Sequence, residues 1–166
     1  MTPHIFHHTD PLDATRALCT QGARGVLLFD SGRAIDASPH APRWSILLHE
    51  PSRILTSRDG RYVELVGPER AEHAVDDPIA WLRHFARSER CPPVHLLDSH
   101  GERVPFVGGL AGYLGFEFAS MLDDVDFEMA LTHHPSMTRA PLLWVGHYEP
   151  EQVQLFRHVG PSFSSS

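Results

Sequence analysis

The chain has 166 residues, 42% of them hydrophobic, and a net charge of −7, a composition typical of one soluble globular domain. All fourteen basic residues are arginine, and the lack of lysine excludes a Walker A phosphate loop, a pyridoxal Schiff base and a lysine nucleophile. Scattered arginines under a negative net charge disfavour a nucleic-acid surface, and no apolar run approaches the ~20 residues of a membrane-spanning helix.

The first elements are a short helix and a strand. Residues 10–21 predict a helix that Asp10 caps and that starts at Pro11, with Cys19 on its core side. The apolar run 25–29 predicts a strand buried on both faces. No secretory leader is visible at the start, so we expect a cytoplasmic protein with free thiols.

Three more strands and a helix follow. After a loop at 32–42, residues 43–49 form a second strand, and the pair Asp59-Gly60 predicts a hairpin between strands at 53–56 and 62–66. The clearest helix lies within 68–90, where it starts at Asp77-Pro78 and shows apolar residues at helical spacing.

A glycine-rich segment follows at residues 104–118, with glycines at 108, 109, 112 and 115 between large apolar residues. Interior glycine costs ~1 kcal/mol relative to alanine, so these positions indicate positive φ or close backbone packing. The segment lacks the Gly-x-Gly-x-x-Gly spacing of a nucleotide loop and predicts a strand packed closely against a partner surface.

The C-terminal region predicts a helix that begins within 119–124 and a last hairpin between strands at 142–148 and 152–156. Residues 159–166 are small and polar, and we expect them to be disordered. The preponderance of strands and hairpins indicates an α+β fold, mainly an antiparallel sheet with a few flanking helices.

Side chains that carry catalysis or bind metals do not converge in the sequence. The histidines at 4, 7, 8, 133 and 134 match no metal-ligand spacing, and the first three lie on what we expect to be a fraying terminus. Adjacent carboxylates at 76–77 and 123–124 fit helix capping and solvation. Neither cysteine lies in an activating motif. We therefore expect no catalytic centre and no metal site in this chain.

Three segments, in order, resemble the N-terminal domain of component I of anthranilate synthase and aminodeoxychorismate (para-aminobenzoate) synthase. They are Leu-Leu-Phe-Asp-Ser at 27–31, Arg-Trp-Ser-Ile-Leu-Leu-His-Glu-Pro at 43–51, and Pro-Phe-Val-Gly-Gly-Leu-Ala-Gly-Tyr-Leu-Gly-Phe-Glu at 105–117. The third is the most specific. The resemblance covers residues 25–158, preceded by a helical lead-in at 1–24, and implies the fold of chorismate-utilising synthases.

The resemblance also implies roles for single residues. Some family members hold tryptophan in a pocket at the first two motifs, so Ser31 would hydrogen-bond such a ligand while Arg43 and Trp44 line or close the pocket. The glycine-rich strand would pack against a chorismate-binding domain. That interdomain contact would involve Gly108, Gly109, Gly112, Tyr113 and Glu117.

The chorismate-binding domain, where the family binds magnesium, is absent from this sequence, so we expect no cofactor here and no catalysis by this chain alone. The expected partners are a chorismate-binding domain, in cis or in trans, and a glutamine amidotransferase subunit. The leading hypothesis is a non-catalytic N-terminal domain acting in folate or tryptophan precursor synthesis. The alternatives are a stand-alone domain that binds tryptophan for regulation and a non-functional truncated gene product.

Overall fold

The structure is a computed structural model that describes residues 2–7, 9–31, 44–58, 61–89, 96–115 and 143–158. Several predictions fall outside these ranges: the loop at 32–42, the residues Arg43, Cys91 and Glu117, the helix start within 119–124, the histidines at 133–134 and the tail at 159–166. The described part is α+β with mostly antiparallel sheets, which confirms the predicted class.

The described residues form two helices and nine strands. The helices are α1 (Pro11–Thr20) and α2 (Pro78–Ser88), and the strands are β1 (His4–Phe6), β2 (Leu27–Phe29), β3 (Trp44–Leu48), β4 (Arg53–Arg58), β5 (Arg61–Val66), β6 (Glu69–His73), β7 (Gly109–Leu114), β8 (Leu143–Tyr148) and β9 (Val153–Arg157). The chain divides into two compact units. The first unit comprises residues 1–51, 91–108 and 148–166, and the second comprises 52–90 and 109–147.

The first unit contains a four-stranded sheet in the order β1-β9-β3-β2. Strands β9 and β2 run antiparallel to β3, while β1 runs parallel to β9. Strand β1 corrects the expected fraying terminus, because residues 4–6 pair with β9 and the ring of Phe6 stacks on that of Phe156 at 5.2 Å. The sheet's pairing and apolar contact thus order the N-terminus.

Helix α1 begins where the sequence predicts, since the Asp10 carboxylate accepts the backbone N–H of Leu12 at 2.8 Å. Two expectations about burial are wrong. Cys19 is exposed on α1, because it does not lie on the face of the helix that meets the core. Phe29 is 47% exposed, because β2 is an edge strand of the described sheet.

The second unit contains a five-stranded sheet in the order β6-β5-β4-β8-β7. The predicted hairpin is confirmed: β4 and β5 pair with Arg53 opposite Val66 and Arg58 opposite Arg61. Strand β6, which the sequence analysis did not assign, extends this hairpin into a meander by pairing with β5.

Helix α2 also begins as predicted, with the Asp77 carboxylate accepting the backbone N–H of Ala80 at 2.9 Å. Its apolar residues cover one face of the five-stranded sheet. The core there consists of Leu55, Phe85, Leu143 and Val145, with partly buried Ile79, Trp81, Leu82 and Leu110 around them.

A charged cluster also connects α2 to the sheet. The Arg53 guanidinium forms ion pairs with Glu64 on β5 and with Glu89 at the end of α2, and it lies 4.9 Å from the ring centre of Phe85. The Glu64 carboxylate is also 3.0 Å from the Nε2 atom of His73. One arginine therefore holds two largely buried carboxylates that would otherwise repel each other.

The predicted last hairpin is wrong, because β8 pairs with β4 whereas β9 pairs with β3 and β1. Between them, residues Pro150–Gln152 form one turn of 3₁₀ helix. Pro150 has no N–H to donate to a ladder. The carbonyl of Gln152 accepts the N–H of His49 at 3.2 Å, so the chain continues alongside β3 instead of folding back on β8.

Candidate functional site

The four-stranded sheet gathers polar side chains where β2 ends, at the first resemblance motif. Phe29 lies opposite Ile46, so the next residue, Asp30, lies opposite Ser45. Ser45 in turn lies opposite Phe156, and His158 follows two residues later on the same face. Strand register therefore brings a carboxylate, a hydroxyl and an imidazole together.

The Ser45 hydroxyl is the centre of this cluster and is fully buried. It donates to Oδ1 of Asp30 at 2.6 Å, contacts Nε2 of His158 at 2.7 Å and accepts the backbone N–H of Ser31 at 3.3 Å. A hydroxyl has one proton, which here goes to Asp30, so Nε2 of His158 must be the donor in its contact. All the hydrogen-bonding capacity of Ser45 is used.

Serine, histidine and aspartate together suggest a hydrolase triad, but the arrangement is wrong for one. The Ser45 proton points to the carboxylate and not to the imidazole, and Asp30 approaches the same nitrogen of His158, at 3.9 Å, rather than the opposite one. The buried hydroxyl also has no access for a substrate. The hydrogen bonds of Ser45 instead fix the positions of the Asp30 and His158 side chains.

The Ser31 hydroxyl is the unsatisfied group of this cluster. Its oxygen is buried and has no hydrogen-bond partner within the described residues, although the backbone N–H of the same residue contacts Ser45. A buried hydroxyl without a partner costs free energy that a ligand can recover. Ser31 lies directly after Asp30, whose carboxylate accepts the Ser45 hydroxyl.

Of the other predicted pocket residues, the structure describes Trp44. Trp44 precedes Ser45 on β3, so the two side chains point to opposite faces of the sheet. The Trp44 ring lies 6.0 Å from the guanidinium of Arg157. Arg43 lies outside the described residues.

Arg157 also anchors the turn at residues 97–103. Its guanidinium pairs with Asp98 at 2.6 Å and with Glu102 at 3.1 Å. Burial alone would raise the pKa of Asp98, but the backbone N–H groups of Glu102 and His100, with Arg157, outweigh burial and hold the pKa below its ordinary value. This cluster stabilises the fold and leaves no open site.

The glycines of the glycine-rich segment lie where φ is positive or where another backbone approaches closely, as the sequence predicts. Gly108 has φ of +128°, and a Cβ there would lie 2.9 Å from the carbonyl oxygen of Tyr148. On β7, Gly109 has φ of +123°, and a Cβ on Gly112 would overlap the Trp144 carbonyl and lie 2.6 Å from the Cα of Val145. The backbones approached by Gly108 and Gly112 belong to this same chain.

The exposed part of β7 is apolar. Tyr113 stacks on Trp144 with ring centres 6.5 Å apart and is 42% exposed, and the neighbouring Leu114 is 46% exposed. Glu117, the last residue predicted for interdomain packing, lies outside the described residues. Among the described strands, β7 lies at an edge of the five-stranded sheet, and its exposed side chains are apolar.

The described ranges hold neither a metal-binding group nor a membrane-spanning helix. There, histidine, cysteine and carboxylate side chains form no group of three or more that could hold a metal ion. The helices of that part of the chain are too short or too polar to cross a bilayer.

No protein-family model matches the chain, and no curated protein is similar to it at a significant level.

Sequence reasoning missed Ser45 and His158 as members of the cluster. Ser45 had a signal in the sequence, since it is the one polar residue in the strand Trp44–Leu48. A hydroxyl in the middle of a buried strand needs a partner. The identity of that partner depends on pairing between β3 and β9, which are more than a hundred residues apart in the chain.

Proposed function

We propose that this chain is the non-catalytic N-terminal domain of a component I-type aminodeoxychorismate or anthranilate synthase. A chorismate-binding domain would complete it, in cis or in trans. That domain would supply magnesium and chorismate chemistry, and a glutamine amidotransferase subunit would supply ammonia. The assembly would serve para-aminobenzoate and folate synthesis or tryptophan synthesis.

The observation that carries this proposal is the third motif, Pro-Phe-Val-Gly-Gly-Leu-Ala-Gly-Tyr, at residues 105–113. Its glycines occupy positions where a side chain would clash or where φ is positive, so the motif encodes a specific backbone path. The exposed Tyr113 and Leu114 support a role for this strand as a contact surface. The α+β architecture with antiparallel sheets is compatible with the proposal.

Co-expression tests the proposal. The chain is produced together with the chorismate-binding domain of a component I-type synthase, and the mixture is analysed by size-exclusion chromatography and assayed with chorismate, magnesium and ammonium. We expect co-elution and a turnover that neither polypeptide gives alone. Two species that elute independently, with no gain in turnover, would contradict the proposal.

A second candidate function is the binding of tryptophan at Ser31. The buried Ser31 hydroxyl without a partner among the described residues favours it, because such a group costs free energy until a ligand satisfies it. Binding there would make the domain a regulatory module.

Isothermal titration calorimetry with tryptophan tests this function, and the chain offers a matched control. Ser31 and Ser57 both have a buried hydroxyl oxygen with no described partner, but Ser57 lies on β4 in the second unit. We expect Ser31→Ala to abolish the binding heat and Ser57→Ala to preserve it. Absence of heat with the unmodified chain at millimolar tryptophan would remove this candidate.

A further inference from the structure

The two edges of the five-stranded sheet differ in chemistry. Strand β6 forms one edge and reads Glu-Arg-Ala-Glu-His, with its charges paired across the surface, as between Arg70 and Glu72 at 2.8 Å. Strand β7 forms the other edge among the described strands and reads Gly-Leu-Ala-Gly-Tyr-Leu, without a charged side chain. Charges on an edge strand prevent pairing with another chain, so β6 is protected and β7 is not.

The sequence at the unprotected edge, residues 109–115, is symmetric about Gly112 except that Ala111 corresponds to Tyr113. Strand β7 together with Gly115, the residue that follows it, reads Gly-Leu-Ala-Gly-Tyr-Leu-Gly. When two copies pair antiparallel with Gly112 opposite Gly112, Leu110 lies opposite Leu114 of the second copy. In the same register, Ala111 lies opposite the second copy's Tyr113.

This register also places matching side chains on matching faces. Leu110 packs against the core cluster under α2, whereas Tyr113 stacks on Trp144 on the opposite face. Residues directly opposite each other in an antiparallel pair share a face. Two leucines therefore meet on one face, and on the other the large Tyr113 ring meets a small alanine.

We propose that β7 pairs antiparallel with β7 of a second copy about a two-fold axis at Gly112. The two five-stranded sheets then join into one sheet of ten strands. An isologous contact requires a self-complementary surface, and the symmetric, uncharged strand supplies one without opposing like charges. The 42% exposed Tyr113 and the 46% exposed Leu114 would be covered in the dimer.

Analytical ultracentrifugation of the chain tests the proposal, with one disrupting variant and one matched control. Leu114→Lys places a charge in the pairing strand, whereas Val66→Lys places the same charge at an equally exposed residue, 45% against 46%, on β5. We expect the unmodified chain and Val66→Lys to sediment at twice the chain mass of 18.6 kDa, and Leu114→Lys at the single mass. Circular dichroism confirms that each variant is folded.

A disulfide test fixes the register. In a background with Cys19 and Cys91 replaced by serine, the pair Ala111→Cys and Tyr113→Cys should give an oxidised covalent dimer, while Tyr113→Cys alone should not. A monomeric unmodified chain, or a dimer that Leu114→Lys leaves intact, would overturn the proposal. These measurements use the chain alone, so their results do not depend on the proposed chorismate-binding partner. That partner, when added, would compete for β7 and dissociate the dimer.

Discussion

Two buried serines offer a sharp test of how polar groups contribute to this fold. Ser45 on β3 is 0% exposed and Ser57 on β4 is 1% exposed. The Ser45 hydroxyl has three partners, whereas the Ser57 hydroxyl has none among the described residues. The substitution serine to alanine removes one oxygen in both cases, so only the hydrogen bonding differs.

The expected effects have opposite directions. Ser45→Ala removes the hydrogen bonds that the hydroxyl makes with Asp30 and His158, and each such loss costs about 1–3 kcal/mol when the group is buried. The Asp30 side chain is 33% exposed and can regain water, so we place the total near the lower end, at about 2–4 kcal/mol. Ser57→Ala removes an unpaired buried hydroxyl and should leave stability unchanged or raise it by up to about 1 kcal/mol.

Urea unfolding followed by tryptophan fluorescence measures both changes. Urea m-values for small proteins are about 1–3 kcal/mol/M, so Ser45→Ala should lower the midpoint by about 1–2 M. Ser45 and Ser57 lie in different units. Hydrogen exchange measured separately for β3 and β4 therefore shows in which unit each substitution changes stability. Free energies of unfolding that agree within about 0.5 kcal/mol for the two variants would refute the reasoning from partners.

Further substitutions test the packing and the charges. Gly112→Ala should cost about 3 kcal/mol or more in thermal unfolding, because the added Cβ would overlap the backbone of β8. Gly67→Ala, in open space at φ +56°, should cost about 1–2 kcal/mol, and equal losses for the two variants would contradict this reasoning. In urea unfolding, Arg53→Ala should lower the free energy of unfolding by about 2–3 kcal/mol, and the exposed control Arg16→Ala should lower it by less than about 1 kcal/mol. Equal losses would show that the burial of the ion pairs does not determine their contribution to stability. Because its pKa is lowered in the folded state, the Asp98 carboxylate stabilises the fold above about pH 4, and this stabilisation is lost as the pH falls further. Asp98→Asn should therefore flatten the acid limb of the curve of stability against pH. An unchanged acid limb would exclude the Asp98 carboxylate as its source.

Local chemistry was sufficient to predict several elements. Asp-Pro pairs at 10–11 and 77–78 identified both helix starts, because a carboxylate cap and a proline at the first position act within one turn. The Asp59-Gly60 pair identified the β4–β5 hairpin, since two-residue turns of this type join adjacent strands. The glycines of β7 also indicated close packing before their neighbours were known.

Long-range pairing was beyond prediction from the sequence. The same local pattern at 142–156 predicts a hairpin, yet β8 and β9 lie in different sheets, because the partner of β9 is β3, more than a hundred residues away in the chain. Strand β1 was missed for the same reason, since three residues acquire strand geometry only by pairing with β9.

The sequence by itself determined the α+β class, the helix starts and the motif residues, because capping, turn chemistry and glycine conformation act over a few residues. Only the tertiary structure decided the surroundings of those residues. It saturated the Ser45 hydroxyl with Asp30 and His158 and left the Ser31 hydroxyl without a partner among the described residues. It also placed β7 at an edge of the sheet that the described strands form. These outcomes depend on strand register between distant segments, which no local pattern encodes.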